Sequence, residues 1–286
     1  MNALSSPVKI LLLSFLIVTT SSSLLFSQSA EDSSEHDKKW SFYGYWGYNR
    51  GWFSTSTIHF VGANYDFTLQ DVVAKDRQTP FAVDVYLNPT KFTILQYNYR
   101  LGFFVDQHWD VSLGVDHMKY VMYQGQSASI RGEIIDSGTR FDGTYDDETI
   151  ELVSDFLMFE HTDGLNYVNA ELRRFDEWKD FGNISINLTE GAGFGVMIPR
   201  TNTTLLRKER YDEFHLAGFG CGAMVGINLT FWNRFFLQSE LKTGFIYMPD
   251  IRTTHDKQDR ADQHFFFLQS NVVIGVLLRP FAKSSN

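Results

Sequence analysis

Apolar residues alternate with polar or small residues in a series of stretches between about Gln96 and Phe281. In the segment 97–105 the odd positions carry Tyr, Tyr, Leu, Phe and Val, whereas the even positions carry Asn, Arg, Gly and Phe. The segments 109–116 and 168–173 have the same two-residue period. Because successive side chains of a strand point to opposite faces, a period of two predicts β-strands rather than helices.

The connections between these stretches predict how the strands are arranged. Long polar segments follow the first, third, fifth and seventh stretches, and short turns follow the second, fourth and sixth. Long loops at one end and short turns at the other are typical of outer-membrane barrels. The sequence therefore predicts an all-β fold: an eight-stranded antiparallel transmembrane β-barrel of up-and-down topology, with long extracellular loops and short periplasmic turns. The predicted strands are 40–53, 96–106, 109–123, 165–177, 183–199, 214–231, 234–251 and 264–281.

Alternation by itself does not decide whether the apolar face points into a soluble barrel or out into lipid. The opposite face is rich in glycine in the fifth and sixth strands, which suits a narrow barrel interior. Trp109, Trp178 and Trp232 stand at the short turns, where membrane barrels carry interfacial aromatic residues. These features favour an apolar face in lipid. A soluble secreted barrel that holds an apolar ligand inside is the alternative.

The N-terminal residues are typical of a secretory signal peptide. Lys9 precedes an apolar run at 10–18, which is too short to span a bilayer as a helix, and a small polar segment ends at Ala30. The predicted division of the chain is a signal peptide at 1–30, a flexible periplasmic arm at 31–39, the barrel at 40–281 and a C-terminal tail at 282–286.

Composition removes several classes of function. The formal net charge of −9 argues against nucleic acid as a partner, because nucleic-acid binding needs a basic face. The single cysteine, Cys221, excludes an internal disulfide, and it lies far from the site where a lipid anchor would be attached. We expect no cofactor.

The strand number and loop pattern resemble the small eight-stranded bacterial outer-membrane barrels of the OmpA and OmpX size class, over residues 40–281. Phe281 resembles the terminal aromatic signal of such barrels. The resemblance implies Sec-type export, insertion by the barrel-assembly machinery and contact with outer-membrane lipid. It implies no particular activity. The leading hypothesis is a non-enzymatic outer-membrane protein with a structural role or with surface loops that bind a ligand or protein partner.

Charged residues on the inner face of the predicted barrel carry both signs. An eight-stranded barrel is just wide enough for side chains to fill it, so these residues are expected to form a structural network of ion pairs. Glu190 has the parity of the lipid-facing set, and a β-bulge at Gly191 that turns it inward is the favoured explanation. The predicted interior network is Arg100, Asp110, Asp116, Glu171, Arg173, Glu240 and Lys242.

The segment 159–166 resembles the His-x-Ser neighbourhood of outer-membrane phospholipase and lipid A deacylase barrels. The resemblance implies that His161 would be the base, while the nucleophile position holds Asp163, beside Thr162. Strand parity places His161 and Asp163 inward, unless a bulge at Gly164 resets the register, and His117 on the neighbouring strand can approach. A lipid hydrolase centred on His161 is therefore an alternative, and a hydrogen-bonded rim histidine is the simpler interpretation.

Two acidic loop clusters are candidate sites for a divalent cation, although neither has the ligand spacing of a calcium loop. The first comprises Asp142, Asp146, Asp147 and Glu148, and the second comprises His255, Asp256, Asp259, Asp262 and His264. The segment 65–74 also alternates, which predicts a hairpin above the barrel or a folded cap.

Overall fold

The computed structural model describes residues 38–79 and 96–280. The predicted signal peptide, most of the predicted arm, Phe281 and the tail at 282–286 lie outside the described residues. Within the described ranges, no helix is long and apolar enough to cross a membrane. The strands are β1 (Phe42–Phe53), β2 (Ser56–Gly62), β3 (Tyr65–Val72), β4 (Ala74–Lys75), β5 (Tyr97–Phe104), β6 (Trp109–Met122), β7 (Gln126–Ile134), β8 (Gly143–Leu152), β9 (Leu157–Asp180), β10 (Ile184–Met197), β11 (Arg200–Leu205), β12 (Tyr211–Phe214), β13 (Gly218–Phe231), β14 (Phe235–Arg252) and β15 (Arg260–Leu278).

Eight strands form a closed antiparallel ring in the order β1, β5, β6, β9, β10, β13, β14 and β15. The ring closes through β15 and β1, which pair from Phe42 opposite Leu278 to Phe53 opposite Phe267. Each ring strand lies beside its neighbours in chain order, so the predicted eight-stranded up-and-down barrel is confirmed. The fourth ring strand differs most from prediction, because β9 begins at Leu157 rather than at residue 165.

In the parts that the structure describes, the segments predicted as polar loops are largely folded into further strands. β2 pairs with the start of β15, and β3, β7 and β8 follow it in order at the edge of the same sheet. β11 pairs with the start of β9, and β12 pairs with β11. The hairpin or cap predicted from the segment 65–74 is present as β3, which pairs with β2. We call this part the cap: β2, β3, β4, β7, β8, β11 and β12 with residues 118–122, 157–165, 246–252 and 260–267 of the ring strands.

A β-bulge marks the level at which the barrel becomes the cap. Pairing between β6 and β9 passes from Met118 opposite Leu165 to Tyr120 opposite His161. Three residues of β9, 162–164, therefore lie opposite one residue of β6, residue 119. Gly164 has a φ of +134°, a conformation that glycine adopts readily and other residues rarely do. The extra residues let β9 continue upward and pair with β11.

The barrel and the cap have opposite polarity, and β15 shows both. In the barrel its buried positions include Gln269 and Asn271, and its exposed positions include Val272 and Ile274. In the cap its buried positions include Phe265 and Phe267, and the alternate positions Asp262 and His264 face outward. The cap core contains tightly packed aromatic rings: Phe67 lies 5.2 Å from Phe60 and 5.7 Å from Phe156 between ring centroids.

Candidate functional site

The lumen of the barrel holds all seven charged residues of the predicted interior network. Each has a relative exposure of 3% or less. They are supplied by β5 (Arg100), β6 (Asp110, Asp116), β9 (Glu171, Arg173) and β14 (Glu240, Lys242). Their positions follow from strand parity, because they alternate with exposed residues such as Leu101, Val111, Leu172 and Leu241.

Glu171 lies at the centre of the network. Its Oε1 accepts from Lys242 Nζ at 2.5 Å and lies 2.9 Å from Arg100 Nη2, and its Oε2 accepts from Arg173 Nε at 2.7 Å. Arg173 also donates from Nη1 to Glu240 Oε1 at 2.8 Å, and Lys242 is paired with Asp116. Three cations and three carboxylates therefore neutralise one another, which is the condition under which buried charges are tolerated.

Neutral polar groups complete the hydrogen bonding of the charged ones. The Tyr45 hydroxyl accepts from Arg100 Nε at 3.1 Å and from Arg173 Nη2 at 2.9 Å. Asn169 accepts from Arg100 Nη2 at 2.6 Å and donates to Asp116 Oδ2 at 3.0 Å. The predicted interior network does not include Tyr45, because the apolar and polar faces of the first strand are poorly separated in the sequence. Asn169 shares the parity of Glu171, and that signal could have identified it.

Asp110 lies apart from the ion pairs, toward the short turns. Its Oδ1 accepts a hydrogen bond from the Tyr43 hydroxyl at 2.8 Å. The Tyr43 ring packs 5.7 Å from Phe104 and 6.2 Å from Phe236, in an apolar layer that covers this end of the lumen.

Lys38, placed by the sequence in the flexible arm, is buried and donates to Asn187 Oδ1 at 3.1 Å. The lumen is thus filled from the ion network down to the short turns.

His161 lies in the cap, directly above the barrel, and is completely buried. Its Nδ1 is 2.9 Å from Thr201 Oγ1 and its Nε2 is 3.4 Å from Gln263 Oε1. Gln263 donates to Ser56 Oγ at 3.1 Å, and Ser56 is 2.8 Å from the Tyr120 hydroxyl. Burial lowers the pKa of His161 to about 4, and the hydrogen bond with Gln263 opposes only part of that shift. The imidazole is therefore neutral at pH 7 and joins cap strands to ring strands.

The other residues of the predicted hydrolase centre do not meet His161. The expectation that Asp163 points inward is wrong, because the bulge at Gly164 leaves its side chain half exposed, 3.2 Å from Arg200. Thr162 donates to Glu160 Oε1 at 3.1 Å. The expected approach of His117 is also wrong, because its parity on β6 is opposite to that of the inward-facing Tyr120. The His117 ring stacks on the ring of Tyr97, with 4.7 Å between ring centroids, and forms a hydrogen bond with Asn166.

The bulge predicted at Gly191 is absent. Glu190 pairs in continuous register with Arg174 on β9 and Val225 on β13, and Gly191 follows opposite Arg173. The irregularity of this hairpin lies instead at residues 186 and 187. Glu190 therefore stays on the outer face, where its cross-strand neighbour Arg174 supplies a compensating charge.

The candidate cation ligands are not gathered into a site. In the first cluster Asp142 bonds to Ser137, Asp147 pairs with Arg131, and the Asp146 side chain is 94% exposed. In the second, Asp259 is bound by Lys208 at 2.7 Å and by Thr254 at 2.8 Å. Within residues 38–79 and 96–280, no group of three or more His, Cys, Asp or Glu side chains is placed to hold a metal ion.

Comparisons with known proteins find similarity in fold. No protein-family model matches the chain, and no curated protein matches it in sequence. Among solved structures it is similar to the outer membrane protein OprG from Pseudomonas aeruginosa, with 8% identity and a TM-score of 0.38, covering 86% of this chain and 100% of OprG. It is also similar to the outer membrane protein AlkL, with 10% identity and a TM-score of 0.39 (90% and 99% coverage). The attachment invasion locus protein Ail of Yersinia pestis matches with 10% identity and a TM-score of 0.28 (82% and 99% coverage).

Proposed function

We propose that the chain is an integral protein of the bacterial outer membrane, in which a filled barrel anchors a folded extracellular cap. The observation that carries this proposal is the combination of an apolar exterior with a charged, hydrogen-bonded lumen at the same level of the ring. Large apolar side chains on the ring are exposed: Leu113 by 67%, Phe194 by 73% and Ile274 by 60%. Contact with lipid explains why such side chains lie on the outside.

The ends of the barrel support the same orientation. Trp178 and Trp232, 62% and 68% exposed, lie at the short-turn end, where an interfacial belt of aromatic residues is expected. Trp232 and Asn233 both have positive φ, and this tight turn holds the indole outside the barrel. Short turns then face the periplasm and the cap faces the exterior, after Sec-type export and insertion by the barrel-assembly machinery.

The role we assign is structural or binding rather than enzymatic. The lumen residues bond to one another, and the hydrogen-bond partners of the buried His161 are Thr201 and Gln263. The cap instead presents a folded surface that can bind a ligand or protein partner. The soluble-barrel alternative is disfavoured because it would leave the apolar exterior of the ring in water.

Cell fractionation with gel electrophoresis of unheated and heated samples tests the proposal. We expect the mature protein in the outer-membrane fraction, with faster mobility before heating, because a closed barrel stays folded in detergent. Recovery as a soluble periplasmic protein would overturn the proposal. Planar-bilayer recording adds a second readout: a filled lumen predicts no steady ion conductance.

A further inference from the structure

One lipid-facing strand carries two features that a plain hydrophobic exterior does not need. β1 exposes even-numbered residues, among them Gly44, Trp46, Arg50 and Trp52, while Tyr45 and Asn49 are buried. Gly44 lies in an apolar groove, and Arg50 places a full charge within the lipid-facing surface six residues further up.

The groove has a volume of about 700 Å³ and is lined by five adjacent ring strands, β5, β1, β15, β14 and the last residue of β13, Phe231. Its walls include Trp46, Tyr99, Leu101, Leu237 and Ile274. Gly44 contributes no side chain to the groove, and a Cβ placed there would lie 3.1 Å from Cδ2 of Leu101. A glycine at a strand position often marks close approach of a ligand or another backbone, and the walls of the groove around Gly44 are apolar.

Arg50 forms no ion pair with a carboxylate of the described residues. The Asp76 carboxylate accepts instead from the backbone N–H of the next residue, Gly51, at 3.0 Å and from Gln78 at 2.7 Å. The cross-strand neighbour of Arg50 on β15 is Ser270, flanked on the same face by Leu268 and Val272. A charged side chain on the lipid face of a barrel is unfavourable unless it reaches a polar partner, and long basic side chains do so by extending toward the headgroups. A lipid phosphate at that level can supply the opposite charge, because a guanidinium binds phosphate through two parallel hydrogen bonds.

The distance between Gly44 and Arg50 along β1 matches the thickness of one leaflet of a bilayer. Six residues of strand extend about 20 Å. With a strand tilt of about 40°, this length covers a depth of about 15 Å, which is half of a hydrocarbon core of about 30 Å. A lipid with its phosphate at Arg50 therefore extends an acyl chain down to the groove at Gly44.

We propose that the outer face of β1 binds one phosphate-bearing anionic lipid of the cap-side leaflet, with the phosphate on Arg50 and an acyl chain in the groove over Gly44. This inference rests on the proposed membrane residence of the barrel. It adds a specific site to an otherwise general lipid contact.

Native mass spectrometry of the folded mature chain in detergent, titrated with dimyristoyl phosphatidylglycerol or dimyristoyl phosphatidylcholine, tests the proposal. We expect one phosphatidylglycerol to bind about tenfold more tightly than phosphatidylcholine. Both lipids carry the phosphate, but the choline cation of phosphatidylcholine opposes the attraction between its phosphate and Arg50. Arg50→Gln should reduce this ratio to about one. Gly44→Leu should weaken both lipids equally, because it fills the groove and leaves the guanidinium in place.

Two control variants separate the site from general effects. Arg174→Gln removes a lipid-facing arginine that already has a carboxylate partner, Asp176, at 2.8 Å. Ala223→Leu enlarges a small outward residue on β13, outside the groove. Neither should change the lipid preference.

Equal affinity of the two lipids for the unmodified protein, or a preference that survives Arg50→Gln, would overturn the inference. Binding unchanged by Gly44→Leu would overturn it as well. All variants are first required to show heat-modifiable mobility. A protein that fractionates with the membrane but has no lipid preference therefore refutes the lipid site alone.

Discussion

In the barrel and in the cap, inward and outward positions alternate along each strand in the same way, but the residue types at those positions are reversed. In the barrel, Glu171 and Arg173 face inward and Leu172 faces outward, whereas in the cap Phe67 and Leu69 face inward and Asp66 faces outward. The backbone alternation is identical, so the difference comes from what surrounds each part. Lipid outside requires the polar groups to satisfy one another inside, and water outside favours burial of apolar side chains. In the proposed membrane placement, the level at which the polarity changes, near the bulge at Gly164, is the membrane boundary.

The two interiors should respond differently to loss of one side chain, and the largest effect is expected in the lumen. Arg173→Met leaves Glu171 and Glu240 without their shared cation and should destabilise the barrel by about 3–5 kcal/mol. The double variant Arg173→Met, Glu240→Gln should be less destabilised than the single one, because a charge is removed from each side. The check is the urea midpoint for unfolding from lipid vesicles. A double variant less stable than the single one would show that the network is not balanced by pairs.

A cavity in the cap should weaken the cap and spare the barrel. Phe67→Ala removes a ring that contacts Phe60 and Phe156 and should cost about 3–4 kcal/mol of cap stability. Limited proteolysis of protein in vesicles should then cleave the cap faster, while the heat-modifiable mobility of the barrel is retained. Simultaneous loss of both would mean that the two parts fold as one unit.

Acid should also act on the cap through His161. Its pKa in the folded state, about 4, is lower than the ordinary value of 6.5, so the unfolded cap binds a proton first as the pH falls. The contribution of His161 to cap stability is therefore constant above pH 6.5 and decreases between pH 6.5 and 4, by about 3 kcal/mol in total. His161→Gln should remove this part of the pH dependence. Protease resistance measured at pH 7, 5.5 and 4.5 compares the two proteins.

An added charge on the outer face distinguishes the two environments with a smaller effect. Leu172→Arg places a guanidinium in the lipid-facing band and should cost about 2–3 kcal/mol. Gln70→Arg places the same group on the outer face of the cap and should change stability by less than about 0.5 kcal/mol. Urea midpoints of the two variants give the comparison, and equal effects would contradict the assigned boundary.

The sequence predicts the ring better than it predicts the cap. The period of two, the glycine-rich inner face and the alternation of long and short connections give all eight ring strands and the parity of Glu171 and Lys242. The cap strands have at most ten residues, and β8 carries four acidic residues, so that it resembles a polar loop in sequence. Their pairing depends on contacts between segments far apart in the chain, such as β3 with β7.

The site predictions failed in two situations. One is a β-bulge that interrupts the alternation of strand faces, and the other is an interaction that depends on the neighbouring strand. Asp163 follows the alternation in sequence, yet the bulge at Gly164 turns it outward toward Arg200. The sequence predicts a bulge at Gly191 because a lone Glu190 carboxylate is unfavourable in lipid, but a compensating charge, Arg174, lies on the neighbouring strand. Cross-strand neighbours are set by register, which a single sequence leaves open.

Accessibility along one face of β15 tests the reversal of polarity most directly. Nitroxide labels are placed at Asp262 and Val272, both outward on the same strand, in a Cys221→Ser background reconstituted into lipid vesicles. We predict that the label at 272 collides mainly with oxygen, which partitions into lipid, and that the label at 262 collides mainly with a water-soluble nickel complex. If both labels respond alike, the barrel and the cap share one environment, and the membrane boundary near Gly164 is contradicted.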